Sequence, residues 1–162
     1  MSPACGAKVV SMEEVPVEDL AEAMADRPMI LVVDDEPLVA DTLAMILRHA
    51  GYRALRAYDA RTALEMASVR APDLLISDVA MPGMNGVELA LGMMAIAPAC
   101  KVVLFSGHAR SVDLMRAYDA GYEFPLIAKP MHPREMLGQV ARSLERGTMR
   151  VGAEPELMRA SA

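Results

Sequence analysis

The stretch MILVVDDEPLVADTLAMILRHAG, residues 29–51, decides the fold. Its first five residues are continuously apolar, as in a strand that is buried on both faces of a sheet. The apolar run stops at Asp34 and Asp35, and Pro37 opens a helical pattern that ends at Gly51, a common helix terminus. Five residues are spaced for one face of this helix: Leu38, Thr42, Met45, Ile46 and His49. The stretch therefore predicts a strand followed by a helix.

The same pattern recurs along the rest of the chain. Further strands are predicted at 52–58, 73–77, 101–106 and 123–128. Further helices are predicted at 60–70 (capped by Asp59), about 87–97, 109–119 and 133–145. Strands that alternate with helices of about 10–15 residues predict a parallel sheet with helices on both faces and right-handed crossovers. We expect one doubly wound α/β domain over 29–146, an N-terminal tail 1–28 with a possible short helix after Pro16, and a C-terminal tail 147–162.

Composition excludes several classes of protein. No apolar run approaches the roughly 20 residues that a membrane span needs, and the N-terminus lacks the apolar region of a secretory signal. The net charge of −6, with no cluster of Lys or Arg, argues against nucleic acid as a partner. The two cysteines, Cys5 and Cys100, are too few for a disulfide framework and are expected to be reduced. We expect a cytoplasmic protein.

Polar residues lie at the carboxyl ends of four of the predicted strands. Asp34 and Asp35 follow the first strand and Asp78 the third, Ser106 ends the fourth, and Lys129 follows the fifth. Parallel strands end at one edge of a sheet, where such folds bind ligands, so these side chains should converge. Like charges about 4 Å apart repel by about 4 kcal/mol at an effective dielectric constant of about 20, so a cation should join the acids. Oxygen ligands favour Mg²⁺.

This constellation also predicts a reaction. Asp78 could act as a nucleophile and form an acyl phosphate. Lys129 offers a positive charge, and Ser106 a hydroxyl, to phosphoryl oxygens. Each residue alone has a simpler interpretation, since an aspartate at a strand end is commonly a helix cap, and Asp34 or Asp35 could cap the helix at Pro37. The joint occurrence at matching strand ends favours the functional interpretation.

Four motifs give the chain a resemblance to a known family. They are VVDDEP at 32–37, the D-x-x-M-P-x-M-x-G run at 78–86, LFSG at 104–107 and KP at 129–130. Together they resemble the receiver domains of response regulators, and the resemblance covers about 29–146. It implies a flavodoxin-like, five-stranded parallel sheet with strand order 2-1-3-4-5 and five helices.

The resemblance also implies roles for the acidic residues. Asp78 would be the phospho-acceptor. Asp34, Asp35 and Asp78 would hold Mg²⁺ together with the backbone carbonyl of Ala80. The donor would be a sensor histidine kinase or a histidine phosphotransfer protein. The domain would catalyse its own phosphorylation and dephosphorylation, without turnover of a separate substrate.

The remaining implied roles belong to the fourth and fifth strands. Ser106 would be the switch hydroxyl, and Lys129 would pair with the phosphoryl group and precede a cis bond to Pro130. The chain departs from the family at Leu126, where the family has Tyr or Phe. This departure leaves the family's aromatic readout in question.

Three alternatives compete with a phosphorylated receiver. A hydrolase of the haloacid dehalogenase type would carry D-x-D after its first strand, and a flavodoxin-like FMN binder would carry a Ser/Thr/Gly-rich loop there. The chain has neither pattern at 34–36. A receiver-like module that binds its partner without phosphorylation stays open because of Leu126. Since 16 residues follow the last predicted helix, we expect no output domain and a signal that leaves by binding a downstream protein, which the sequence does not identify.

Overall fold

The computed structural model describes residue 21, residues 24–107 and residues 111–146. The strands in these residues are β1 (Met29–Val33), β2 (Arg53–Ala57), β3 (Leu74–Asp78), β4 (Lys101–Ser106) and β5 (Leu126–Ala128). The helices that follow them are α1 (Pro37–His49), α2 (Ala60–Val69), α3 (Gly86–Ile96), α4 (Val112–Asp119) and α5 (Pro133–Glu145). Among the described residues, no helix has the length and apolar character that crossing a membrane requires.

The described part of the N-terminal segment agrees with a short helix. Ala21, Met24 and Ala25 have helical backbone, and Asp26 lies in a turn before β1. Residues 17–20, 22 and 23 of the segment after Pro16, and the C-terminal tail 147–162, lie outside the described residues.

The five strands form one parallel sheet in the order β2-β1-β3-β4-β5. This order confirms the predicted flavodoxin-like, doubly wound fold. In the register of the sheet, Asp78 lies opposite Phe105, and Ser106 lies opposite Ala128. The carboxyl ends of β3, β4 and β5 therefore meet at one edge of the sheet, and this edge positions the candidate site.

A hydrophobic cluster lies on each face of the sheet. Side chains of β1 alternate between them, with Leu31 in one cluster and Ile30 and Val32 in the other. Helices α2, α3 and α4 contribute to the first cluster, and α1 and α5 to the second. The sheet is therefore covered on both faces, which explains the continuous apolar runs of its inner strands.

The face of α1 that the sequence pattern selected is not the buried face. Leu38 is 79% exposed and Met45 is 53% exposed. The residues that α1 buries are Ala40, Leu43, Ala44 and Leu47. Apolar residues lie on both sides of this helix, so spacing alone was ambiguous, and the small alanines suit the face that approaches the sheet.

Two predicted elements begin in the structure more than one residue after their predicted starts. β5 contains only Leu126–Ala128 and not 123–128, because Pro125 has no N–H to donate to a neighbouring strand. Helix α4 begins at Val112, where the Ser111 side chain accepts a hydrogen bond from the Leu114 N–H (3.1 Å). The predicted start of this helix at 109–110 lies outside the described residues. The predicted cap of α2 is confirmed, since the Asp59 side chain accepts from the Thr62 N–H at 2.7 Å.

Candidate functional site

Three carboxylates and one ammonium group meet at the carboxyl edge of the sheet. Asp34, Asp35 and Asp78 each present an oxygen, and these oxygens lie within 4.8 Å of one another. Asp34 and Asp78 are buried, whereas Asp35 is exposed. The Lys129 ammonium contacts both buried acids. The structure thus brings together the acidic residues and the lysine that the sequence placed at the strand ends.

Asp34 has a different partner at each carboxylate oxygen. Its Oδ1 accepts a hydrogen bond from the backbone N–H of Glu36 (2.9 Å), and its Oδ2 lies 3.3 Å from Lys129 Nζ. Glu36 is the N-cap residue of α1, which has no side-chain cap. The interpretation of Asp34 or Asp35 as the side-chain cap of α1 is therefore wrong. Asp34 instead links the start of α1 to Lys129.

The pKa values of Asp78 and Lys129 describe the charge balance. Burial raises the pKa of Asp78, and the negative charge of Asp34 raises it further. Lys129, whose Nζ lies 3.2 Å from Asp78 Oδ1, lowers this pKa. The net shift is upward. Burial lowers the pKa of Lys129, but attraction to Asp34 and Asp78 outweighs burial and raises it. Lys129 is therefore a cation that does not fully balance the two buried acids. A further cation beside Asp78 fits this deficit.

The cluster also fits Mg²⁺ in its donor chemistry. Asp34, Asp35 and Asp78 offer only oxygen atoms, which are the ligands that this ion prefers. The backbone N–H of Ala80, whose carbonyl the family resemblance adds to the set, faces the Asp78 carboxylate and acts to lower its pKa. The loop after β3 therefore lies close to the acceptor residue.

The ends of β4 and β5 hold the other two candidate residues side by side. Ser106 is buried, and its backbone carbonyl accepts a hydrogen bond from the Lys129 N–H (2.9 Å). The peptide bond between Lys129 and Pro130 is cis, as the resemblance implied. The backbone of Ser106 is thus joined to that of the residue that contacts Asp78.

Leu126 lies next to an aromatic pair. It is half-buried and packs against the same hydrophobic cluster as Tyr122 and Phe124. The rings of Tyr122 and Phe124 stack on each other, with centroids 6.4 Å apart and planes 4° apart. The nearby rings therefore pack together while an aliphatic side chain occupies position 126.

Sequence reasoning missed the structural importance of Gly86. It was quoted only as the last residue of the D-x-x-M-P-x-M-x-G run, yet its Cα lies against the Asp78 backbone carbonyl. The sequence signal was the glycine at the end of the motif, but sequence alone does not show what lies beside it.

Fold and site together define a class, that of flavodoxin-like α/β domains with an acid–lysine cluster at the carboxyl edge of the sheet. Comparison with known proteins is more specific. The family model described as "Response regulator receiver domain" matches residues 30–141, more than half of the chain. The chain therefore belongs to the response regulator receiver family.

Individual relatives agree with this membership. The chain is 31% identical over 120 residues both to the DNA-binding response regulator MtrA of Mycolicibacterium smegmatis and to the transcriptional regulatory protein CreB of Escherichia coli. Each match covers 74% of this chain and 52% of the relative, so the chain spans about half the length of these relatives.

Solved structures show the same fold. A CheY-like receiver domain protein from Methanospirillum hungatei superposes with a TM-score of 0.68 at 28% identity, covering 74% of this chain and 94% of its own. Chemotaxis protein CheY4 of Vibrio cholerae superposes with a TM-score of 0.66 at 25% identity, covering 72% and 98%. Receiver domains are signalling switches of two-component systems, bind Mg²⁺ at an acidic pocket and imply a histidine kinase as partner.

Proposed function

We propose that this protein is a switch that accepts a phosphoryl group on Asp78 from a sensor histidine kinase or a histidine phosphotransfer protein. The contact between Lys129 Nζ and Asp78 Oδ1 at 3.2 Å carries the proposal. It pairs a buried carboxylate with a cation at the sheet edge where Asp34 and Asp35 also lie. Transfer of a phosphoryl group onto a carboxylate needs such an arrangement of charges.

Mg²⁺ completes the proposed site. Asp34, Asp35, Asp78 and the carbonyl of Ala80 would hold it, and when bound it would offset the negative charge of the transferred group. The upward pKa shift of Asp78 supports this assignment, because Lys129 alone does not compensate for burial and for Asp34.

The protein's own residues perform the transfer. A carboxylate oxygen of Asp78 attacks the phosphorus of a phosphohistidine, the P–N bond breaks, and the bond's electron pair stays on the histidine nitrogen, which then takes up a proton. Lys129 stabilises the charge on the phosphoryl oxygens, and Ser106 offers its hydroxyl to one of them. Water later hydrolyses the acyl phosphate and regenerates the Asp78 carboxylate.

Phosphorylation would act as a switch through charge. A phosphoryl group adds a charge of about −1.5 to −2 at neutral pH and three strong acceptor oxygens. Lys129 would exchange part of its contact with Asp34 for the phosphoryl group, and Ser106 would close on the same group. Because Lys129 and Ser106 are hydrogen-bonded through their backbones, the ends of β4 and β5 would move together. This shifts a two-state equilibrium.

The finer parts of the proposal concern output and boundaries. We propose that residues 29–146 form the receiver unit, that the signal leaves by contact with a downstream protein, and that the protein works in the cytoplasm with no separate substrate. The net charge of −6 favours a protein partner over nucleic acid or a membrane surface. The DNA binding named for MtrA belongs to that longer relative.

A second candidate is a receiver-like module that binds its partner without phosphorylation. Leu126 favours it, since an aliphatic side chain stands where the family has an aromatic ring. The acids and Lys129 are nevertheless all in place at the site. We therefore rank phosphorylation-dependent signalling first.

The test is phosphorylation by acetyl phosphate, measured by intact mass with and without Mg²⁺. The wild type should gain one phosphoryl group only when Mg²⁺ is present, and Asp78→Ala should gain none. Asp73→Asn is the matched control, because Asp73 directly precedes the same strand at its other end and should leave phosphorylation unchanged. If the wild type gains no mass under any condition, the proposal fails and the phosphorylation-independent module becomes the leading function.

A further inference from the structure

We propose that Gly86 is a positioning residue for the phosphorylation site, because only a residue without a side chain lets the start of α3 lie against Asp78. The inference rests on the proposed function of Asp78. Gly86 contacts no reacting atom itself and acts through the backbone of Asp78 and of the loop that follows it.

The space beside Gly86 is filled by backbone. A Cβ at this position would lie 2.0 Å from the Asp78 carbonyl oxygen, 2.8 Å from the carbonyl carbon and 2.9 Å from the Val79 Cα. These atoms belong to the main chain, so no change of side-chain rotamer relieves the overlap. Either the end of β3 or the start of α3 must move to admit even one methyl group.

Gly83 lies in the same loop and is glycine for a different reason. Its φ of +73° lies in the left-handed region, while a Cβ there would meet nothing within 4 Å. Gly86 lies outside that region, so its backbone conformation is open to other residues. At position 83 glycine is favoured because of the positive φ, whereas at position 86 it is favoured because a side chain has no room.

The start of α3 is held in place and cannot simply retreat. The Gly86 N–H donates to the Val79 carbonyl at 2.9 Å, which closes the loop after β3. Asn85 and Glu88 form a capping box, with two hydrogen bonds of 2.9 Å between backbone N–H groups and the reciprocal side chains. A methyl group at Gly86 would therefore displace the end of β3 as well as the helix.

That displacement reaches the site through Ala80. Its N–H faces the Asp78 carboxylate and acts to lower its pKa, and its carbonyl is the proposed backbone ligand of Mg²⁺. Changes in the supporting groups around metal ligands typically lower metal affinity by about 10–100-fold. We therefore expect Gly86→Ala to weaken Mg²⁺ binding rather than only to lower stability.

The experiment compares Gly86→Ala with the control Gly92→Ala. Gly92 lies in α3, where a Cβ would make an ordinary 3.4 Å contact with the Leu64 methyl groups. Mg²⁺ affinity is measured by calorimetry, and phosphorylation rate with acetyl phosphate at saturating Mg²⁺. Gly86→Ala should lose at least about tenfold in Mg²⁺ affinity and phosphorylate more slowly, while Gly92→Ala stays near the wild type. A folded Gly86→Ala protein with wild-type Mg²⁺ affinity overturns the proposal.

Two further measurements separate this inference from the proposed function and from misfolding. Hydrogen exchange of the Ala80 amide in EDTA needs neither metal nor phosphate, and Gly86→Ala should accelerate it while Gly92→Ala should not. Ala80 exchange therefore tests the positioning role of Gly86 even if the wild type takes up no phosphoryl group. If Gly86→Ala does not fold, Asn85→Ala releases the helix start without adding atoms beside Asp78. It should also weaken Mg²⁺ binding and accelerate Ala80 exchange, and unchanged values in Asn85→Ala would refute the positioning role.

Discussion

The two ends of β3 carry the same residue type in opposite situations. At the amino end, the Asp73 carboxylate accepts a hydrogen bond of 2.6 Å from the Met29 N–H, and its backbone bonds to Met29 and Lys101. At the carboxyl end, the Asp78 carboxylate faces the side chain of Lys129 at 3.2 Å. At the amino end the charge is paired with a backbone N–H, whereas at the carboxyl end it is paired with a charged side chain.

The lysines of β4 and its neighbour show the same contrast. Lys101, at the amino end of β4, donates from Nζ to the Leu144 carbonyl near the end of α5 at 2.7 Å. Lys129, after β5, contacts Asp34 and Asp78. A lysine that donates to a backbone carbonyl holds two elements together. A lysine that contacts two acids can exchange one of these contacts for a new anion. Residue type alone therefore does not define the site. The site is defined by the groups that each charged side chain contacts.

The largest expected effect in this comparison comes from the lysines. Lys129→Met should slow phosphorylation of Asp78 by acetyl phosphate about a hundredfold or more at saturating Mg²⁺, because it removes a preorganised charge from the transferred group. Lys101→Met is the matched control, with the same change at the opposite end of the sheet. It should lower the free energy of unfolding by about 1 kcal/mol and leave the rate unchanged. Equal rates for the two variants would contradict the comparison.

Sequence alone predicted which residues converge at the carboxyl edge. Asp34 and Lys129 each follow an apolar strand and Asp78 ends one, and parallel order sends all strand ends to one side. Sequence alone could not distinguish Asp78 from Asp73 by residue type, because a partner such as the Met29 N–H, 44 residues away, is set by tertiary structure. The position after the apolar run was the distinguishing signal.

The predictions that the structure corrected also depended on tertiary contacts. The exposed face of α1 carries the large apolar residues Leu38 and Met45, so apolar spacing did not single out the buried face, and packing against the sheet does. The short β5 depends on Pro125, whose carbonyl still accepts from the Leu104 N–H at 2.8 Å although it has no N–H to donate. The role of Gly86 depends on the Asp78 carbonyl oxygen, which would lie 2.0 Å from a Cβ at position 86. This proximity is set by tertiary structure.

A smaller effect is expected from Asp73. Asp73→Ala leaves the part-buried Met29 N–H without its side-chain acceptor, which should lower the free energy of unfolding by about 1–3 kcal/mol. Urea unfolding measures this loss, and Asp73→Asn, which keeps an oxygen acceptor, should recover part of it. Phosphorylation of the folded Asp73→Ala protein should match the wild type. A stable variant that fails to phosphorylate would show that the two ends of β3 are coupled.

The smallest effect is a pH-dependent gain in stability from Asp78→Asn. Because burial raises the pKa of Asp78 above its unfolded value of about 3.9, the native state holds this proton to higher pH than the unfolded chain does. Ionising Asp78 therefore destabilises the native protein as pH rises from that unfolded value through the raised native one. Asp78→Asn removes this destabilisation, so its stability relative to the wild type should be greater at pH 7 than at pH 3.5, in urea unfolding with EDTA. A stability difference that stays constant with pH, or that shrinks as pH rises, would mean that Lys129 already compensates the buried charge, and the electrostatic argument for a cation beside Asp78 would be lost.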